Sequence, residues 1–85
     1  MIDVKELRRL CRGKRVFIWG AMIVGQGVCR SLERNGIALD SFVDKSPSLQ
    51  GREALHYPIG KPDDAIECAR AGKGIILTGS GHRSV

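Results

Sequence analysis

A three-layer α/β fold, built on a parallel sheet of three to four strands with helices on both faces, is predicted by three features of the chain. Short apolar runs near residues 16–19, 37–43 and 74–78, the first and last of them unbroken, alternate with segments of helical periodicity. The first run stops at Gly20 and a helical pattern begins at once, with Gly25 one turn further on. The second run closes on Asp44. A strand, a tight glycine turn, a helix and a second strand ending in a carboxylate together form the opening of a doubly wound nucleotide-binding sheet.

Each element has its own signal. Residues 3–12 read as an amphipathic helix stopped at Gly13, with Lys5, Arg8, Arg9 and Arg12 on one face and Val4, Leu7, Leu10 and Cys11 on the other. Residues 16–19 suit a central strand covered on both faces. A helix over residues 21–35 places Val24, Val28 and Leu32 at four-residue spacing and ends at Asn35-Gly36. Residues 37–43 form the second strand, and the cluster from Asp44 to Ser48 is a turn. The following stretch reads as a loop with a short edge strand around residues 57–59. Pro62-Asp63-Asp64 opens a third helix, proline in its first turn and carboxylates at its positive end, which runs to about Ala71. Residues 74–78 give the last strand, followed by Gly79-Ser80-Gly81-His82. Spacing alone leaves open whether this strand lies beside the first, in order 2-1-3, or outside the second, in order 3-2-1.

At 85 residues the chain has room for one domain with a modest core. A further helix is expected after Gly81, so the chain reads as the N-terminal fragment of a longer protein. Its apolar runs are too short to cross a bilayer, and the charged start, Asp3 to Glu6, lacks the apolar block of a signal peptide, so a cytoplasmic location is expected. Cys11, Cys29 and Cys68 are widely spaced and odd in number, which argues against disulfides or zinc and for small core residues. The net charge of +5 is concentrated before Val16, in Lys5, Arg8, Arg9, Arg12, Lys14 and Arg15. Such a stripe fits nucleic acid or acidic lipid, or simply a solvated helix face, and the solvated face is preferred. Phe17 and Trp19 belong to a strand, which leaves no stacking platform for single strands.

In a complete glycine fingerprint the first glycine permits the turn, the second lets backbone approach pyrophosphate, and the third lets helix pack on strand. Gly20 and Gly25 fill the first and third positions, whereas Met22 occupies the second. The N–H groups of Ala21, Met22, Ile23 and Val24 can still face a phosphate at the helix start. Asp44 can accept from ribose or sugar hydroxyls, and Lys45 can supply a point charge. Each has a plain alternative: a connecting glycine turn, a turn-initiating aspartate and a solvated lysine. Thr78, Gly79 and Ser80 join this group if the last strand lies beside the first.

The segments Val16-Phe17-Ile18-Trp19-Gly20-Ala21, Gly25, Asn35-Gly36-Ile37 and Phe42-Val43-Asp44-Lys45-Ser46-Pro47-Ser48-Leu49-Gln50-Gly51 resemble a small Rossmann-like module of bacterial surface-polysaccharide proteins. Tyr57-Pro58-Ile59 and Ile75-Ile76-Leu77-Thr78-Gly79 extend the resemblance over about residues 14–82. The module is the N-terminal nucleotide-sugar-binding domain of sugar acetyltransferases whose catalytic half is a left-handed β-helix. Similar modules occur on methyltransferases and glycosyltransferases of the same pathways. In that family the first turn usually reads Gly-Ala-Gly, so Met22 is a departure. The resemblance implies strand order 2-1-3 and a nucleotide or UDP- or dTDP-linked sugar, in preference to NAD, held at Gly20 to Gly25, Asp44 and the turn at Gly79.

No catalytic constellation is visible: Gly79-Ser80-Gly81-His82 is not a nucleophile elbow, and His56 and His82 fall in separate loops. The leading expectation is a non-catalytic binding module of a cell-surface sugar transferase, partnered by a missing C-terminal catalytic domain, with homo-oligomerisation open. The alternatives are the truncated NAD-binding half of an oxidoreductase or epimerase, and a docking domain that has lost its ligand.

Overall fold

The computed structural model of the chain describes residues 4–78. Within them the elements run α1 (Val4–Cys11), β1 (Arg15–Trp19), α2 (Ile23–Arg34), β2 (Ser41–Val43), β3 (Glu53–Ala54), β4 (Tyr57–Gly60), α3 (Pro62–Arg70) and β5 (Gly74–Thr78). The strands form one five-stranded sheet in the order β3-β4-β2-β1-β5. All neighbours are parallel except the β3–β4 pair, so the sheet is mixed and has more strands than the three to four expected. The last strand does lie beside the first, opposite β2, with Val16 facing Ile75 and Ile18 facing Leu77 in register.

Alternation along β1 divides the core. Val16 and Ile18 point to one face, where Cys11 of α1 and Cys29 and Leu32 of α2 pack with Phe42 and Ile59. Phe17 points to the other, where Val43 and Ala65 pack with the half-buried Trp19, Cys68 and Ile76. Helices therefore cover both faces, α1 and α2 on one and α3 on the other. Burial pushes the Cys11 and Cys29 thiols up from their ordinary range, which keeps them neutral as apolar fillers.

Three expectations are corrected in detail. Leu10 is not on the buried face of α1 but is 43% exposed, and α2 buries Gly25, Cys29 and Leu32 while Val24 is 56% exposed. Close approach at Gly25 rotates α2 so that Val24 falls outside the contact. Residues 37–40 are not strand: the helix end holds Ile37, and the chain first meets β1 at Asp40, whose N–H donates to Val16 O at 2.8 Å. Gly36, at φ 74°, lets its N–H reach Glu33 O and lets Ile37 N–H reach Leu32 O, a Schellman closure of α2. Side-chain burial at Val4 lies outside the described set.

The β3–β4 hairpin was hidden for a chemical reason. Its two-residue turn is Leu55-His56, with φ of 51° and 74°. Two successive positive φ angles mark a turn normally written with Asn and Gly. Leu55 tolerates the strain because it packs against the larger core cluster, whereas His56 is exposed. Tyr57 then anchors the hairpin twice. Its ring meets Phe42 edge to face at 6.3 Å, and its hydroxyl donates to Glu33 Oε2 of α2 at 2.7 Å. That hydrogen bond, aided by desolvation, pushes the Tyr57 phenol up to about 12.

Two outcomes follow from the hairpin. His56→Gly removes left-handed strain from a side chain with no buried contact, and a gain of about 0.5–1 kcal/mol is expected in chemical denaturation. Tyr57 contributes its full stabilisation below about pH 10, where the unfolded phenol starts to ionise, and loses it as pH rises through about 12. Solvent access keeps this effect small, so Tyr57→Phe should lower stability by no more than about 1 kcal/mol at neutral pH and flatten the alkaline limb of a stability–pH curve.

Candidate functional site

The site expected at the glycine turn lies at the carboxyl ends of the parallel strands, which is where open α/β sheets bind ligands. Strand β1 is flanked by β2 on one side and β5 on the other, and the two crossover helices, α2 leading from β1 to β2 and α3 leading into β5, lie on opposite faces. The crevice between the ends of β1 and β5 is thus a topological switch point. Trp19 and Thr78 pair across it.

The turn is built by two glycines with different tasks. Gly20 has φ 110°, a conformation closed to ordinary L-residues, and its N–H reaches Val43 O at 2.8 Å. Gly25 is required for space. A Cβ placed there would stand 1.8 Å from Gly20 O and 3.4 Å from Ile18 Cγ2, so α2 rests directly on the turn. Met22, the departure from the glycine pattern, has φ −88° and extended ψ, which any residue can adopt. It is the N-cap of α2 but offers no side-chain cap, and the first intrahelical bond is Gln26 N–H to Met22 O at 2.9 Å. The N–H groups at the start of α2 consequently have no carbonyl partner within the helix.

Met22, Ile23 and Val24 project from this helix start at 62%, 83% and 56% exposure, an apolar cluster around otherwise polar N–H groups. The Met22 side chain does not fill a crevice. Gln26 Nε2 donates to Ala21 O at 2.9 Å and steadies the turn from inside the first helical turn.

Asp44 sits where the ribose-binding role required it, at the end of β2, but its carboxylate is also used by the chain itself. Oδ2 accepts from Ala21 N–H at 3.1 Å and Oδ1 from Ser46 N–H at 2.9 Å, while its own carbonyl accepts from Gln50 Nε2 at 2.8 Å. A carboxylate has about four acceptor positions, so hydroxyl acceptance stays open to it. The same charge beside Ala21 disfavours a phosphate resting on that particular N–H and directs any anion toward Ile23 to Gly25. Lys45 is exposed beside it. Gly20, Ala21, Met22, Ile23, Val24, Gly25, Asp44, Lys45 and Thr78 are thereby brought to one end of the sheet. Gly79 and Ser80, with Gly81 and His82, lie outside the described residues.

A feature that sequence reasoning missed, a cleft formed in part by the basic residues it assigned to a solvated helix face, lies at the opposite end. The cleft, of about 380 Å³, opens at the amino ends of the strands, lined by Arg8, Cys11, Arg12, Lys14 and Val16 and by the loop from Gly36 to Ala38. It touches none of the residues at the glycine turn. Among the described residues no cluster of His, Cys, Asp and Glu is arranged to hold a metal, and no helix is long and apolar enough to cross a membrane. No family model matches the chain, nor does any curated protein or any solved structure.

Paired substitutions test the account of the turn. Gly25→Ala drives a methyl group into the Gly20 carbonyl and should cost about 3 kcal/mol, near the upper end for overpacking. Gly27, two residues along the same helix, has nothing within 4 Å of an added Cβ. Gly27→Ala should therefore stabilise by up to about 1 kcal/mol through helix propensity. Thermal melting should move by about 15 °C downward for the first and about 5 °C upward for the second. A gain of stability in both would mean that helix propensity, and not contact with the Gly20 carbonyl, governs position 25.

Proposed function

We propose that this chain is a non-catalytic binding module that holds a nucleotide or nucleotide-sugar at the carboxyl end of its sheet, for use by a transferase domain of cell-surface sugar assembly. The observation that carries the reading is the junction of β1, α2 and β2. Gly25 lies against Gly20, the start of α2 is uncapped by any side chain, and Asp44 lies within hydrogen-bonding distance of the turn. A phosphate would be received by the N–H groups of Ile23, Val24 and Gly25, and Asp44 would accept from a ribose or sugar hydroxyl. Lys45 and Thr78 would border the ligand. UDP- or dTDP-linked sugars suit this arrangement better than NAD, because Met22 stands where a dinucleotide's pyrophosphate needs a bare backbone.

A second reading draws on the exposed apolar cluster of Met22, Ile23 and Val24. In it the same end of the sheet serves only as a contact surface for another protein domain, without a ligand.

A titration followed by amide NMR, with UDP-sugars, dTDP-sugars, NAD, AMP and coenzyme A, separates the two. Saturable shifts confined to residues 20–25 and 44–45 with a nucleotide-sugar support the binding module, and NAD should give weaker ones. Met22→Gly should then tighten nucleotide binding several-fold, and Asp44→Ala should weaken a ribose-bearing ligand more than pyrophosphate. Silence from every nucleotide, both before and after Met22→Gly, would overturn the module in favour of the contact surface.

A further inference from the structure

The cleft at the amino end of the sheet carries a different chemistry. Three cationic side chains, Arg8, Arg12 and Lys14, line it, and no carboxylate of the described residues does. The acids nearby in sequence are already engaged with cations outside the cleft. Glu6 pairs with Arg9 at 2.6 Å, and Asp40 pairs with Arg15 at 2.6 Å. The walls between the cations are apolar, formed by Cys11, Val16 and Ile37, all buried.

Basic residues at this end have one ordinary role, which is to complement helix C-termini. That role is largely filled by backbone here. The last carbonyls of α2 receive Gly36 and Ile37 N–H, and those of α3 receive Gly72 and Lys73 N–H. Asn35 Nδ2 also caps Ser31 O. Arg8 gives only its Nε to Asn35 O, at 3.0 Å, which fixes the guanidinium plane and leaves its terminal nitrogens free to donate. Lys14 makes one long contact, 3.4 Å to Gly72 O, and Arg12 has no ion-pair or hydrogen-bond partner through its side chain among the described residues. Two guanidinium groups and an ammonium thus share a concave site with unused donors and uncompensated charge.

We infer that this cleft is an anion site for a phosphomonoester, with Arg8 and Arg12 binding the phosphate oxygens, Lys14 adding charge, and the Cys11–Val16–Ile37 wall receiving the rest of a small ligand. Guanidinium forks suit tetrahedral oxyanions with paired oxygens, and Arg8 is oriented in advance by its bond to Asn35. The site is independent of the glycine turn, from which it is separated by the length of the parallel strands.

The test is an amide NMR titration of the whole chain at constant ionic strength, with inorganic phosphate, glucose 1-phosphate and a short DNA duplex in separate arms. Expected are saturable shifts at Arg12, Gly36, Ile37 and Ala38, with the phosphomonoester binding more tightly than inorganic phosphate. Arg12→Gln should weaken both at least tenfold and Arg8→Gln by a similar factor, while Arg9→Gln, whose side chain faces Glu6, should leave them unchanged. Spectral dispersion reports in the same experiment that each variant is folded. Equal losses from Arg9→Gln and Arg12→Gln would overturn the site. So would shifts spread along all exposed cations, or a preference for duplex DNA with no phosphomonoester binding, since each would reveal only a diffuse basic surface.

Discussion

The contact on which the structure depends is the one between Gly25 and the carbonyl of Gly20. Without a Cβ at position 25, α2 can sit on the turn that ends β1, and its buried stripe of Gly25, Cys29 and Leu32 comes to lie over Val16, Ile18 and Phe42. The same seating fixes where Ala21 N–H points, and Asp44 meets it from the end of β2. One close approach therefore couples strand order, helix placement and the arrangement of the candidate site. Side-chain caps are absent at the start of α2, so packing and the Asp44 tie hold that end in their place.

Much of this was legible in the sequence because each signal was local. The run ending at Gly20, Pro62 at the start of α3 and the glycines after α2 and α3 all act within a few residues, and those elements stand close to their expected places. What was not legible depended on distant partners or on unusual turn chemistry. Leu55-His56 does not look like a hairpin turn, since its left-handed geometry is tolerated only where Leu55 finds the core. Ile37 looks like strand by composition, yet its N–H is taken by Leu32 O of the helix before it. Spacing placed Asp44 at the end of β2 but gave no sign that its carboxylate would be shared with Ala21 and Ser46. The basic cleft was equally hidden, because α1 and the turn after it supply its cations and the loop after α2 supplies its far wall.

The two ends of the sheet also differ in polarity for a reason built into α/β architecture. Helices that return antiparallel to the strands present N–H groups at the carboxyl ends and carbonyls at the amino ends. At the carboxyl end here the chain adds acid, with Asp44 near α2 and Asp63 and Asp64 in the first turn of α3. At the amino end it adds base beyond what the helix carbonyls take up. The net charge of +5 is for this reason unevenly distributed, with its excess around α1 and the start of β1.

The Asp44 carboxylate and the Gln26 amide hold the backbone of Ala21 from opposite sides, one at its N–H and the other at its carbonyl. A residue whose two flanking peptide groups are both held has little conformational freedom left to surrender. Molecules that dock against it would meet a rigid template, and their binding entropy would reflect desolvation and their own internal rotors more than ordering of the protein. Recognition at this turn would accordingly favour stiff partners over flexible ones of equal contact area.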